Sequence, residues 1–302
     1  MTPHLIVAST SIHIVNPDLY ASLPPSVLLS WQRVRAATLL ATTGAEWAAA
    51  FSQDNSGTYN NEYLVVTPSS FAPGTAAPLR PGLLTVVDQI PHLVTVDDAT
   101  DDLARGHFPS YNLPSSPRVY NACGLNDEGG AVSSLAARLD APLAATRWLS
   151  YQLAPRAALF RRDGGGVASL ARMRDVMRSV YKEGGGGKNA PPPSPSPLDP
   201  LAHGDALAAV CGRADLEADP ASREPRGCFD GKVTSVRGAR ELTADVVTGP
   251  STAGGALPPF RPADWAAVIP TAGMPAVFDF DWERTRPRLV ARSVRKGERG
   301  VA

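Results

Sequence analysis

The chain has 302 residues, 43% apolar and 19% charged, enough for one large domain or two medium ones with a sizeable core. Lysine plus arginine and aspartate plus glutamate balance at 29 each, so bulk charge gives no reason to expect nucleic acid or an acidic partner. Three cysteines, an odd number, and five scattered histidines form neither a disulfide framework nor a paired Cys-x-x-Cys signature, so no metal and no other cofactor is expected.

No apolar run is long enough to cross a membrane, and Met1–Thr10 lacks the basic start and long apolar core of a signal peptide. Leu5, Ile6 and Val7, followed by Ile12, Ile14 and Val15, read as a strand already in progress, which raises the expectation that something precedes it. Pro24-Pro25-Ser26 looks like a helix start, with Val27, Leu28, Trp31, Val34, Arg35, Thr38 and Leu39 at helical spacing. Thr43 can cap a second helix from Gly44 to Phe51, with Trp47 and Phe51 four apart on one face.

Asp54-Asn55-Ser56-Gly57-Thr58-Tyr59-Asn60-Asn61-Glu62-Tyr63 then runs into Leu64-Val65-Val66. Asparagine amides donate and accept, and a glycine lets the backbone approach a ligand closely, which suits a pocket for a carbonyl oxygen. The same residues suit an ordinary helix-to-strand turn. A strand over 62–67 follows, then a Pro/Gly/Ala-rich loop and two β-branched runs, Leu83–Val87 and His92–Val96, separated by Ile90-Pro91. Ser110-Tyr111-Asn112-Leu113-Pro114 is a second polar turn.

Val132–Leu139 and Thr146–Leu153 have helical patterns. Val167, Leu170, Met173, Met177 and Val180-Tyr181 line one helix face, with Arg172, Arg174, Arg178 and Lys182 elsewhere; such a helix can lie on lipid or simply present a solvated basic face. Residues 184–198 are Gly/Pro-rich and read as a disordered insertion, and the Gly-Gly-Gly-Gly-Lys run within it fails the spacing of a phosphate loop. Val233–Val236, Leu242–Val247 and Val277–Trp282 read as further strands, and residues 286–302 as a basic tail. This order of elements points to an α+β fold with mostly antiparallel pairing.

Several motifs fall in one order. Asn55-Ser56-Gly57-Thr58-Tyr59-Asn60-Asn61, Asp88-Gln89-Ile90-Pro91, Pro109–Pro114, Ala154-Pro155-Arg156-Ala157 with Phe160–Asp163, Asp199-Pro200-Leu201, Arg213–Leu216, Lys232–Ser235 and Pro258-Pro259-Phe260 together resemble the phospholipase B-like (lamina ancestor-like) family. The resemblance covers residues 1–285. It implies an N-terminal-nucleophile hydrolase: a four-layer αββα sandwich, here incomplete at the N-terminus, whose precursor cuts itself to expose a cysteine. The thiol attacks an ester or amide carbonyl of a phospholipid or other acyl lipid, with the free α-amino group as base. On that scheme Asn55 is the oxyanion or carbonyl donor, Thr58 and Asn61 bond the substrate in the pocket, Arg156 orients the site, and Tyr111 and Asn112 complete the substrate-binding surface. The resemblance further implies a secreted or lysosomal setting.

The chain departs from the family pattern at telling places. The nucleophilic cysteine would lie upstream, in a strand preceding Leu5, so the partner implied is the upstream chain that carries it. Cys123, Cys211 and Cys228 do not stand at nucleophile positions and read as small buried thiols. Glu62 replaces a glutamine, and Arg226-Gly227-Cys228 replaces a His-Gly pair. The implied function is lipid acyl hydrolysis with the nucleophile supplied from outside this chain; the alternative is an inactive lipid-binding or scaffold protein that keeps the fold. A serine hydrolase is a poor third, since no Gly-x-Ser-x-Gly is present.

Overall fold

The computed structural model describes residues 1–23, 27–75, 77–126, 148–180, 207, 209–217 and 219–287. The expected helix start at 24–26, the helix at 132–139, the insertion at 184–198 and nearly all of the tail lie outside the described residues.

Four strands, β1 (Ile6–Ser11), β2 (Asn61–Val66), β3 (Leu84–Ile90) and β4 (Leu93–Asp98), form an antiparallel sheet in the order β1-β2-β3-β4. β3 is buried along its whole length, as a β-branched central strand should be. Pro91 and His92 make the two-residue turn into β4, with His92 in the left-handed region at φ 64°.

Helices α1 (Ser30–Leu40) and α2 (Gly44–Phe51) cover one face. The expected Thr43 cap is present, its hydroxyl accepting from Glu46 N, and Gly44 lets α2 approach the sheet: a Cβ there would lie 2.1 Å from Thr85 Oγ1. Trp47 and Phe51 stack at 4.7 Å and pack with Leu5, Ala37, Tyr63, Val65 and Val87. α1 begins at Ser30, later than expected, and buries Ser30, Arg33 and Ala37, whereas Trp31 (68% exposed) and Leu39 (65%) face outward. Its inward stripe is therefore more polar than the apolar spacing suggests.

On the opposite face Leu64, Val66, Leu84 and Val86 meet Ala99, Leu103 and Phe108, next to α3 (Thr100–Ala104). A larger cluster continues through Ile12, Ile90, Leu113, Val119 and Cys123 to Leu149 and Ala157, supported by α4 (Pro117–Ala122) and α5 (Pro155–Asp163). Both helices start on proline, whose missing N–H costs nothing in a first turn. Residues 151–153, within the helix expected at 146–153, form turns instead.

α6 (Leu170–Met177) packs beside a second antiparallel sheet, β5 (Asp230–Val233), β6 (Asp245–Thr248) and β7 (Glu283–Arg284). Its arginines are not simply a solvated face. Arg174 pairs with the buried Asp245, which also accepts from Arg284, and the buried Arg178 donates to Gly249 O at 2.7 Å. Val236 belongs to a short helix, α7 (Val236–Arg240), because Ser235 caps it by accepting from Gly238 N. The strand expected at 277–282 reduces to one bridge, Phe278 to Phe260, before β7.

The described architecture is thus α+β with antiparallel sheets. One reading of the cysteines needs correction: Cys211 and Cys228 are joined in a disulfide, with Cα atoms 5.0 Å apart, and only Cys123 is a free, buried thiol. An odd count hides such a pair, because a sequence separation of 17 carries no signature of its own. The bridge fixes the segment that presents Arg213, a buried guanidinium that grips Asp215 through two bonds and donates to Ser251 O and Pro258 O. Closing a loop of this length contributes about 3 kcal/mol in the chain-entropy account. The Cys211→Ser/Cys228→Ser double variant should therefore melt several degrees below the parent, and dithiothreitol should lower the parent's Tm while leaving the variant's unchanged.

Candidate functional site

The polar stretch after α2 is a compact turn whose backbone is bent into an unusual shape. Asp54, Gly57 and Tyr59 all have positive φ (49°, 62° and 49°), and a Cβ on Gly57 would lie 2.7 Å from Leu23. Non-glycine residues held in that region signal a conformation that the surroundings impose. Asn55 does much of the holding: its Oδ1 accepts from Gly57 N at 3.0 Å and its Nδ2 donates to Ile90 O at 2.8 Å. The Thr58 hydroxyl bonds Ser56 Oγ at 2.7 Å and accepts from Ser30 N at 3.2 Å.

Under this turn lies a buried hub that sequence reasoning missed. Arg33, 2% exposed, donates to Phe51 O and Gln89 Oε1, each at 2.6 Å, and to Asn55 Oδ1 at 3.3 Å, and its guanidinium lies 4.4 Å from the centre of the Phe51 ring. Burial lowers its pKa from the ordinary arginine value, opposed by Tyr63 and Asp54. Gln89, fully buried, passes the network on through Nε2 to Asn60 Oδ1 at 2.7 Å, and Asn60 donates to Gly57 O at 2.9 Å. The hint available in the sequence was an arginine on the inward side of an otherwise helical pattern and a glutamine inside a buried strand.

Asn61, 2% exposed, donates to Ser9 Oγ at 3.2 Å, and its Oδ1 is buried with no partner among the described residues. Buried polar atoms are nearly always satisfied, so such an acceptor marks a place where a donor belongs.

The second polar turn docks on the end of the same strand. Ser110 Oγ and Thr10 Oγ1 are 2.6 Å apart, and Asn112, at φ 71°, donates from Nδ2 to Ser11 O at 3.0 Å. Tyr111, buried, donates its hydroxyl to Tyr151 O at 2.6 Å, and burial pushes its pKa up. Arg156 donates to Asn112 Oδ1 and, through Nε, to Ala209 O at 2.9 Å. Among the residues singled out from sequence, Asn55 and Thr58 therefore belong to one network, Tyr111, Asn112 and Arg156 to another, and Asn61 lies between them. Asn61 and the second network both bond the end of β1, at Ser9 and Ser11 respectively.

Cys123 is fully buried, and desolvation followed by the nearby Asp88 pushes its thiol up to about 12. It is therefore a thiol, not a thiolate, at any physiological pH. Among the described residues no group of three or more His, Cys, Asp or Glu could hold a metal ion, and no helix is long and apolar enough to cross a membrane.

The hub makes a definite prediction. Arg33→Met strands the Phe51 carbonyl in the interior, at about 1–3 kcal/mol for an unsatisfied group, and leaves Gln89 Oε1 only the longer bond from Ser30 Oγ. Denaturant unfolding should show a loss of that order, and Gln89→Leu should show a similar one, whereas Arg35→Met, on the outer side of α1, should be nearly silent.

The family model described as Phospholipase B matches residues 1–285. Human phospholipase B-like 1 is 37% identical over 291 residues, covering 94% of this chain and 46% of the human protein. Phospholipase B-like protein B of Dictyostelium discoideum is 34% identical over 281 residues, covering 92% of this chain and 44% of that protein. Phospholipase B of Crotalus adamanteus is 33% identical over 288 residues, covering 94% of this chain and 46% of that protein. The chain spans about half the length of the curated relatives it matches.

Proposed function

The chain belongs to the phospholipase B family, and from that premise we propose that it forms one wall of a lipid acyl-hydrolase site whose attacking cysteine is supplied by an upstream segment. The observation that carries this reading is the state of the chain's own sulfur. Cys211 and Cys228 are bonded to each other and Cys123 is a buried thiol held in its neutral form, which supports a nucleophile supplied from elsewhere. The edge of β1 opposite β2 is where the strand bearing the nucleophile would add, completing an αββα sandwich; β1 is an edge strand of its sheet, and Asn61 and Asn112 both bond it.

In this scheme the α-amino group of the upstream cysteine takes the thiol proton, and sulfur adds to the ester or amide carbonyl of a phospholipid or related acyl lipid. Asn55, with one amide hydrogen on Ile90 O, directs the other at the oxyanion. Asn61 Oδ1 receives a donor from the incoming nucleophile or substrate, which resolves its lack of a partner. Thr58 bonds the substrate at the mouth, and Arg156 orients the site by fixing Asn112 against β1, beside Tyr111. Collapse of the tetrahedral intermediate expels the alcohol or amine and leaves an acyl-thioester, which water hydrolyses. A secreted or lysosomal setting fits this chemistry.

A second reading draws support from the same cysteines: a protein that keeps the fold and binds lipid without turning it over. The two separate in a direct assay. The purified 302-residue chain should show no thiol-dependent hydrolysis of phospholipid or N-acyl substrates; turnover blocked by iodoacetamide and lost in a variant without cysteine would overturn the proposal. Joined to an upstream segment carrying a processed N-terminal cysteine, it should gain iodoacetamide-sensitive activity, and Asn55→Ala should lower kcat about 10²–10³-fold. Lipid binding without any turnover in the joined protein would establish the second reading. Sequencing the 5′ end of the transcript shows whether such a segment is encoded.

A further inference from the structure

On the sheet face that packs against residues 99–125, one rung is polar across all four strands. Register places Thr10 opposite Glu62, Glu62 opposite Asp88, and Asp88 opposite Thr95, so four polar side chains cross β1 to β4 in a line on one face. Glu62 and Asp88 are each 1% exposed. No lysine or arginine pairs with them among the described residues. Their donors come from the Ser110–Ser116 turn instead: Ser115 N gives to Glu62 Oε2 at 2.9 Å and Ser116 N gives to Asp88 Oδ2 at 2.8 Å. Asp88 Oδ1 is buried with no donor reaching it.

Two carboxylates side by side in the interior cannot both be ionised, because desolvation and mutual repulsion add. A proton on Asp88 Oδ1 removes both costs, since it gives that oxygen a bond and gives Glu62 a neutral neighbour that donates to it. We propose that Glu62 and Asp88 share a single proton, and that this protonated pair clamps the Ser110–Ser116 turn onto the sheet more firmly in acid than at neutral pH. The pair is a proton-sensitive joint between the strand that carries Asn61 and the turn that carries Tyr111 and Asn112.

The surroundings favour the proton. Burial first, then Glu62, pushes Asp88 up to about 8, with Asp97 of β4 adding to the rise. Burial also raises Glu62, against hydrogen bonds from Ser110 and Ser115. The other titratable groups facing the pair are Tyr111, Tyr151 and Cys123, which stay neutral, and Arg161 acts only from beyond Tyr111. Each acid has a folded pKa above its unfolded value of about 4, so the folded state holds more protons between about pH 4 and pH 8. The contribution to stability is therefore fully present in acid and is lost as pH rises through that window. His13, next to the Asn112 contact, has the opposite sign, since burial lowers its pKa and its contribution grows with pH.

The test follows Tm from pH 5 to pH 8 for the parent chain, Glu62→Gln and Asp88→Asn, each amide supplying a fixed hydrogen in place of the shared proton. The parent should lose about 5 °C or more across the range, and the variants should lose clearly less and melt above the parent at pH 8. Equal slopes in parent and variants would sink the proposal. Should either variant fail to fold, ¹³C-carboxyl spectra of the parent decide. One buried carboxyl still protonated at pH 6.5, with protection of the Ser115 and Ser116 amides falling as it ionises, supports the shared proton, and full ionisation of every Asp and Glu at that pH refutes it. These readouts need no turnover, so they stand or fall separately from the hydrolase reading.

Discussion

The pairing of β2 with β3 in the register that sets Glu62 against Asp88 is the constraint from which the rest follows. Side chains alternate across a strand, so this one register assigns every polar group at the strand ends to a face. It sends Asn61 and Gln89 toward α1, where Arg33 waits, and sends Glu62 and Asp88 toward the turn at 110–116. A slip of one residue would bury Tyr63 and Val65 against the wrong layer and leave Arg33 without its glutamine.

Each face answers the problem of buried polarity differently. Toward α1, one guanidinium serves several carbonyl and amide oxygens, and the asparagine turn is built around it. Toward the 110–116 turn, backbone N–H groups meet the two carboxyl groups. The apolar clusters on either side bring most of the burial energy. The polar groups determine which arrangement that energy stabilises, because any shift leaves a donor or acceptor unsatisfied in the interior.

What could be read in the sequence was what is decided locally. The Thr43 cap, the Trp47–Phe51 pair, the β-branched runs around Pro91 and the two polar turns depend on neighbours a few residues away, and all appear near their expected places. The inward stripe of α1 did not show, because Arg33 is buried by partners as distant as Gln89, 56 residues on. Nor did the disulfide, or the end of β5 at Val233, where the Ser235 cap turns the chain into a helix. The motif order identified the family and singled out candidate site residues, but it could not tell which of them share a network. Asn112 and Arg156 meet across 44 positions, a contact no local pattern encodes.

The bridge between Cys211 and Cys228 also bears on where the chain matures. Such links persist where the surroundings are oxidising, as in the lumen of the secretory pathway, and are rare where glutathione keeps sulfur reduced. A bacterial cytoplasm would therefore deliver the segment around Arg213 unstapled. Recombinant work on this chain belongs in a periplasmic or secretory host.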